Sequence, residues 1–408
     1  MVGHVVFNGP SVLVISAMFP MTGRGDWLKT RPCVLMVSGN APPVLDGVGD
    51  CTDRLLAELR RQRPGWRWVW LCKRPRWFHP PVGRRGGVTV VRPGHGWGRF
   101  GRSAASALVG LIRPDVVHVQ EQIHSFHETD AAVRVARSAR AAGARVVTTL
   151  HEYHVELASV RHTSALVGLS DFVIANDPRN AVRCLDQTGR SVDASWWSGS
   201  TVLPPAPPAR PPTRAGVVTT FGFLSALKAL DPVAEALRRL RAEFPRLLWR
   251  IIGPFDPATD PRHADLARRL GTDGVEFTGA VRGPRLGALL AESEMMLLPF
   301  ADGASERRTS LHAGWAFGLP VVTTPPPTTS TAVADGENCL LVRAATADAW
   351  AEAVRRVLTD PLLNGRLRAG SLRAADRFSW PRLAANHLDV YDRLLTPIQP
   401  PTLLPQLS

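Results

Sequence analysis

Residues 299–324, reading PFADGASERRTSLHAGWAFGLPVVTT, place a glycine, small hydroxyl side chains, two adjacent arginines and a histidine directly after an apolar run. Gly303, Ala304 and Ser305 can let backbone N–H groups turn toward one point, and Thr309 or Ser310 can cap a helix whose N-terminus adds partial positive charge there. The helix is expected to stop at Gly318 and Pro320, with Val321 and Val322 opening the next strand. Such geometry suits a phosphate, although an ordinary strand-to-helix turn shows the same local pattern.

A second candidate is Lys228. Lys and Arg total 49, yet only Lys29, Lys73 and Lys228 are lysines. A lysine retained where arginine supplies nearly every other positive charge draws notice, against the reading of a solvated surface residue. A third set follows apolar runs in the first half: Gly47 and Gly49, then Glu121 and Gln122, then His151, Glu152 and His154. Singly, each histidine is an ordinary hydrogen-bonding residue; a shared place at strand ends makes them candidates for ligand contact.

The elements that must hold these residues alternate in type. Apolar runs at 33–38, 66–72, 88–91, 116–120, 146–150 and 172–176 read as buried parallel strands, separated by helical patterns such as 103–111 and 130–142. A loop reaching Asp50 is expected after the first strand, with Thr52 capping the next helix. Trp66, Trp68 and Trp70 fall on one face of the second strand, where core packing is the natural reading. A second series follows at 217–223, 247–252, 275–278, 295–298 and 321–323, with helices at 232–244, 346–358, 362–378 and 380–395. Alternation of this kind predicts an α/β protein of two Rossmann-like, doubly wound domains. The boundaries read as a leader over 1–30, a first domain over 31–203, a Pro-rich linker over 204–216, a second domain over 217–378, a terminal helix over 379–395 and a loose tail over 396–408.

Composition narrows the class. At 408 residues the chain exceeds what a single core usually holds, and no apolar run approaches the ~18 residues of a membrane span. Residues 11–19 are apolar but flanked by Pro10 and Pro20 with no Lys or Arg before them, which argues against a secretory signal. Cys33, Cys51, Cys72, Cys184 and Cys339 lack zinc or disulfide spacing, and a reducing, cytoplasmic setting is expected. The net charge of +14 is spread along the chain without a basic stripe interleaved with aromatics, so nucleic acid is not an expected partner. Peripheral contact with an anionic membrane at the inner face is compatible with that charge.

Five segments of the second half, FGFLSALKALD (221–231), RIIGP (250–254), VEFTGAV (275–281), the 299–324 loop and DGENCLLV (335–342), resemble in order and spacing the C-terminal domain of the retaining family-4 group of GT-B glycosyltransferases. GVGDCTDRL (47–55), VVHVQEQ (116–122) and VVTTLHE (146–152) resemble the N-terminal segments of that group. The resemblance spans about residues 31–395 and implies a GT-B fold, with the two domains facing across a crevice that holds a nucleotide-diphosphate sugar mainly against the second domain. It implies that Lys228 grips the diphosphate, that Gly47 and Gly49 approach from the other side, and that His151 lies near the reacting sugar. Gly303, Ala304, Ser305, Glu306, Arg307, Arg308, Thr309 and His312 would form the donor loop. No metal or other cofactor is implied beyond the donor substrate itself, and the acceptor can be a glycan, a lipid or a small molecule.

Three positions depart from the group's pattern. Its two glutamates, one on the donor sugar and one on the ribose, fall here on Ala304 and His312, and an arginine common in the group is Phe223. Glu306 lies two residues beyond the first site, but its counterpart eight residues on is Gly314. Arg307 and Arg308 are placed to replace lost positive charge, against the reading of solvated loop arginines. The expected activity is retaining sugar transfer from a nucleotide-diphosphate sugar without a metal; the alternative is a weakened GT-B protein that binds the donor, or a partner enzyme, without turnover.

Overall fold

A computed structural model describes residues 31–44, 46–75, 79–153, 157–205, 214–225 and 227–396. The leader, most of the Pro-rich linker, the tail from residue 397 and His154 lie outside the described residues. The chain divides into two compact units, residues 1–196 together with 380–408, and residues 197–379. The first division therefore falls before the Pro-rich stretch, between two adjacent tryptophans.

In the first unit, β1 (Cys33–Ser38), β2 (Arg67–Leu71), β3 (Val82–Arg85), β4 (Val88–Val91), β5 (Val116–Glu121), β6 (Arg145–Leu150), β7 (Phe172–Ala175) and β8 (Ala194–Ser195) form one sheet in the order β3-β4-β2-β1-β5-β6-β7-β8. All pairs are parallel except β3 with β4. The helices are α1 (Gly47–Gln62), α2 (Arg99–Ile112), α3 (Ala131–Ala141), α4 (Leu157–Leu169) and α5 (Pro178–Thr188), with the terminal α12 (Trp380–Leu395). Both faces of β1 are covered, which explains its unbroken apolar sequence: Leu35 and Val37 pack with Leu108 and Val135, while Val34 and Met36 pack with Leu55, Leu388 and Tyr391. Burying each such side chain contributes about 1.5–3 kcal/mol. The tryptophan stripe is core as expected, with Trp68 and Trp70 buried and Trp66 stacked on Trp68. The five cysteines are buried free thiols.

In the second unit, β9 (Val217–Phe221), β10 (Leu248–Ile252), β11 (Val275–Gly279), β12 (Met295–Leu298), β13 (Val321–Thr323) and β14 (Leu340–Leu341) form an all-parallel sheet in the order β11-β10-β9-β12-β13-β14. Its helices are α6 (Leu230–Leu240), α7 (Pro261–Leu270), α8 (Gly283–Ala291), α9 (Thr309–Ala316), α10 (Ala347–Thr359) and α11 (Pro361–Arg377). The strand order reverses between β9 and β12, and between β1 and β5 in the first unit. Such switch points open a crevice beyond the carboxyl ends of the strands.

Three local expectations are corrected. Gly47 and Gly49 lie not in a loop but in the first turn of α1, because Asp46 caps it, its Oδ1 accepting from the Gly49 N–H at 2.8 Å. Thr52 is inside that helix, its hydroxyl donating to the Val48 carbonyl at 2.7 Å. In α9 neither Thr309 nor Ser310 is the cap; Arg308 occupies that position and its side chain makes no capping hydrogen bond. Among the described residues no helix is long and apolar enough to cross a membrane.

Candidate functional site

The switch point of the second unit gathers Lys228 and the 299–324 loop. Lys228 follows β9, and its backbone pairs with Phe300, which follows β12. Ala229 N–H donates to the Pro299 carbonyl at 2.8 Å and Ala301 N–H to the Leu227 carbonyl at 2.9 Å, so the two crossovers are stitched together where the sheet reverses. The Lys228 ammonium donates to the Phe221 carbonyl at 2.7 Å and lies 5.7 Å from the centroid of the Phe300 ring. Burial, and then repulsion by Arg308, push its pKa down to about 7. Gly222, at φ +112°, leaves the space beside this amine: a Cβ there would stand 3.3 Å from Nζ.

The loop is built around Gly303. At φ +86° it takes a backbone that L side chains avoid, and a Cβ would come within 2.6 Å of the Pro325 carbonyl oxygen. Gly303→Ala is therefore expected to lower stability by about 3 kcal/mol, from left-handed strain plus the clash; a melting temperature within a degree of wild type would refute this. Ala304 is fully buried in the core. Glu306 is buried too, with its carboxylate accepting from the Ser330 hydroxyl at 2.5 Å. The His312 ring is buried against Trp315 and Phe378, with Nε2 bonded to the Glu306 carbonyl at 2.5 Å, so it braces the loop from beneath. Burial holds its pKa down to about 4, against the raising influence of Glu306.

Arg307 and Arg308 are not simply solvated. Both pair with Asp302, and Arg308 also lies over Phe300 at 4.6 Å. The three charges leave a net +1 beside Lys228, so part of the positive charge that the two arginines bring is cancelled locally. The Ser305 hydroxyl is buried and has no hydrogen-bond partner among the described residues, a costly state that a ligand oxygen would relieve. Phe223, just past β9, is 58% exposed.

At the switch point of the first unit, β5, β6 and β7 bring Gln120, Glu121, His151 and Asn176 to one edge. His151 N–H donates to the Glu121 carbonyl at 2.9 Å, extending the ladder by one rung. Its ring bonds through Nε2 to Gln120 Oε1 at 2.7 Å and through Nδ1 to Asn176 Nδ2 at 3.0 Å. Burial lowers its pKa to about 4, opposed by the charge of Asp46 and of Glu152. Glu121 is buried, with Oε2 lacking a hydrogen-bond partner among the described residues, and burial raises its pKa to about 7. Asp46, besides capping α1, accepts from Asn40 at 2.5 Å and from Ser125 at 2.9 Å, fixing Gly47 and Gly49 beside the end of β1. Asn176, Asn180 and His118 were not singled out by the sequence; a polar residue closing an apolar strand was the one available signal for Asn176.

Residues 215–360 match the family described as Glycosyl transferases group 1. The chain is 32% identical over 201 residues to D-inositol 3-phosphate glycosyltransferase of Nocardioides sp., a match covering 45% of this chain and 42% of that protein, so it spans less than half of the relative's length. Among solved structures, it is similar to sucrose-phosphate synthase from Thermosynechococcus elongatus (TM-score 0.70, 17% identity, covering 89% of this chain and 99% of the other). It is also similar to HepE from Anabaena in complex with UDP and glucose (TM-score 0.68, 16% identity, covering 89% and 100%). The reversed strand orders and the structural likeness thus agree that this chain has the GT-B fold, and residues 215–360 of its second unit match the Glycosyl transferases group 1 family.

Proposed function

We propose that this protein is a retaining, metal-independent glycosyltransferase that moves a sugar from a nucleotide-diphosphate sugar to an acceptor. The observation that carries this reading is the Lys228 amine at the switch point of the second unit, 2.7 Å from the Phe221 carbonyl and 5.7 Å from the Phe300 ring centroid, on the crossover stitched to the loop whose buried Ser305 hydroxyl lacks a partner among the described residues. In the reaction the bond from the anomeric carbon to the diphosphate breaks, its electron pair leaving with the phosphate oxygen. The acceptor oxygen bonds the same face of the sugar and passes its proton to the departing diphosphate oxygen. Charge develops on the departing diphosphate, and fixed donors aimed there lower the barrier more than a strong base would. Lys228, the N–H groups of the Gly303–Arg308 loop and the first turn of α9 at Thr309 take that task in the second unit; in the first unit, Gly47, Gly49 and His151 are the residues proposed to contact the donor.

UDP is the first nucleotide to try, since the HepE structure holds it. The name of the Nocardioides relative makes a small phosphorylated cyclitol the first acceptor to try, ahead of glycans and lipids. A cytoplasmic setting, with contact at an anionic membrane face through the +14 charge, belongs to the same proposal. A second reading, donor binding without turnover, is favoured by one observation: Ala304 and His312 are both buried, and the nearby Glu306 carboxylate is engaged by Ser330. Incubation with UDP-, GDP- and ADP-sugars in EDTA separates the two. Slow release of nucleotide diphosphate supports transfer, a raised melting temperature without release supports binding alone, and no effect of any nucleotide refutes both.

A further inference from the structure

His151 is one link in a hydrogen-bonded chain whose polarity is set by backbone groups. Asn180, in α5, accepts from the Tyr153 N–H through Oδ1 at 3.1 Å and donates through Nδ2 to the Leu150 carbonyl at 3.3 Å. An N–H can only donate and a carbonyl can only accept, so the Asn180 amide has one orientation. Its second Nδ2 hydrogen goes to Asn176 Oδ1 at 3.1 Å, which turns Asn176 Nδ2 toward His151 Nδ1 at 3.0 Å. His151 Nδ1 must then accept, its proton lies on Nε2, and that N–H donates to Gln120 Oε1 at 2.7 Å. Gln120 Nε2 in turn faces His118 Nε2 at 3.1 Å, a nitrogen that Thr149 also reaches at 2.8 Å, which leaves the His118 proton on Nδ1 to donate to the Tyr391 hydroxyl of α12 at 2.6 Å. His118 is fully buried and its pKa is held well below the usual histidine range by burial and by the neighbouring His387 and His151, so it stays neutral.

We propose that Asn176 and Asn180 are positioning residues for His151: they hold its ring in the Nε2–H tautomer for the reaction, and through it they set the direction of the chain as far as Tyr391. The part concerning turnover rests on the reading of His151 given above, while the tautomer stands on hydrogen-bond geometry alone. Near-isosteric reversals test it. In Asn176→Asp the carboxylate can only accept, so His151 Nδ1 must carry a proton. In Asn180→Asp, a residue that does not touch the ring, Asn176 must turn over to donate to the new carboxylate, which presents Oδ1 to His151 and protonates Nδ1 as well.

The experiment is ¹⁵N-histidine NMR of the full chain at pH 7.5, with release of UDP from UDP-glucose as the second readout. The expected result is an acceptor-type Nδ1 for His151 in wild type and a protonated Nδ1 in both variants. The kcat for UDP release should fall at least tenfold in both, while KM for UDP-glucose stays within about threefold, as for a histidine held in the wrong tautomer. Should Asn180→Asp fail to fold, Asn176→Asp carries the test alone. A wild-type His151 already protonated on Nδ1, or variants whose ring keeps the wild-type pattern, would overturn the tautomer assignment. Variants that flip the ring at unchanged kcat would overturn the positioning role. If wild type releases no UDP, kcat and KM are read with whichever sugar nucleotide of the UDP, GDP and ADP panel it turns over; release from none of them would instead refute the transferase reading and the positioning role with it, leaving the ring nitrogens to decide the tautomer.

Discussion

Lys228→Ala is expected to reduce kcat/KM for nucleotide-diphosphate release by about 10²–10³, the scale at which removing one preorganised donor to a developing anion is felt. The size follows from the setting of the amine. In the unliganded protein its pKa is about 7 because burial and Arg308 both disfavour the cation. A bound diphosphate supplies the missing counter-charge and pulls that pKa upward. Binding at pH 8 is then accompanied by uptake of nearly one proton, since the unliganded amine is mostly neutral there. The sign is definite: affinity is full below pH 7 and falls as the pH rises above it, by up to about tenfold per unit until the pKa of the bound form is reached. Calorimetry of UDP binding in buffers of different ionisation enthalpy reads this directly. No proton uptake in wild type, or the same uptake in Lys228→Ala, would remove Lys228 from the diphosphate site.

Acid should weaken the first unit before the second. His151 and His387 in the first unit and His312 in the second have folded pKa values lowered to about 4, with burial the largest cause in each. Each binds a proton in the unfolded chain below about pH 6.5 but not in the folded one until about pH 4. Between those values the unfolded state holds more protons, so stability rises with pH; it is fully present above about 6.5 and is lost as the pH falls toward 4. A shift of this size is worth up to about 3 kcal/mol per histidine. The first unit loses two such contributions and that of His118, whose pKa is also lowered by burial; Glu121, whose raised pKa adds stability as the pH falls from about 7 toward 4.5, offsets part of this loss. The second unit loses one. Hydrogen exchange at pH 4.5 and pH 7.5 should show protection falling further in β5, β6 and α12 than in β12, β13 and α9. Equal losses in the two units would refute the assignment.

Both predictions involve residues that the sequence displays unequally. Lys228 and the 299–324 loop were legible because their signals are local: a rare lysine soon after an apolar run, and a glycine-rich turn leading into a helix. The burial that lowers the Lys228 pKa was not legible, since it depends on Phe300 and Arg308 arriving from another crossover. Arg307 and Arg308 looked like replacements for lost charge, and pairing with Asp302 changes that sum. His312 stood at a position resembling a ribose contact, whereas in the fold its ring is spent on the Glu306 carbonyl.

Sequence alone determined the α/β class, the two strand series and the resemblance to GT-B glycosyltransferases, because hydrophobic periodicity and turn residues act within a few positions of themselves. It placed the strands and most helix starts closely and missed the caps of α1 and α9. A cap is decided by which side chain reaches the orphan N–H groups, and at α1 that is Asp46 rather than Thr52. Tertiary structure decided everything that depends on direction. Residues 120, 151, 176, 180 and 391 meet only because parallel β5, β6 and β7 end at one edge and α12 packs against the same unit. The protonated nitrogen of His151 then follows from two backbone groups fixed by that packing, and no spacing along the chain encodes it.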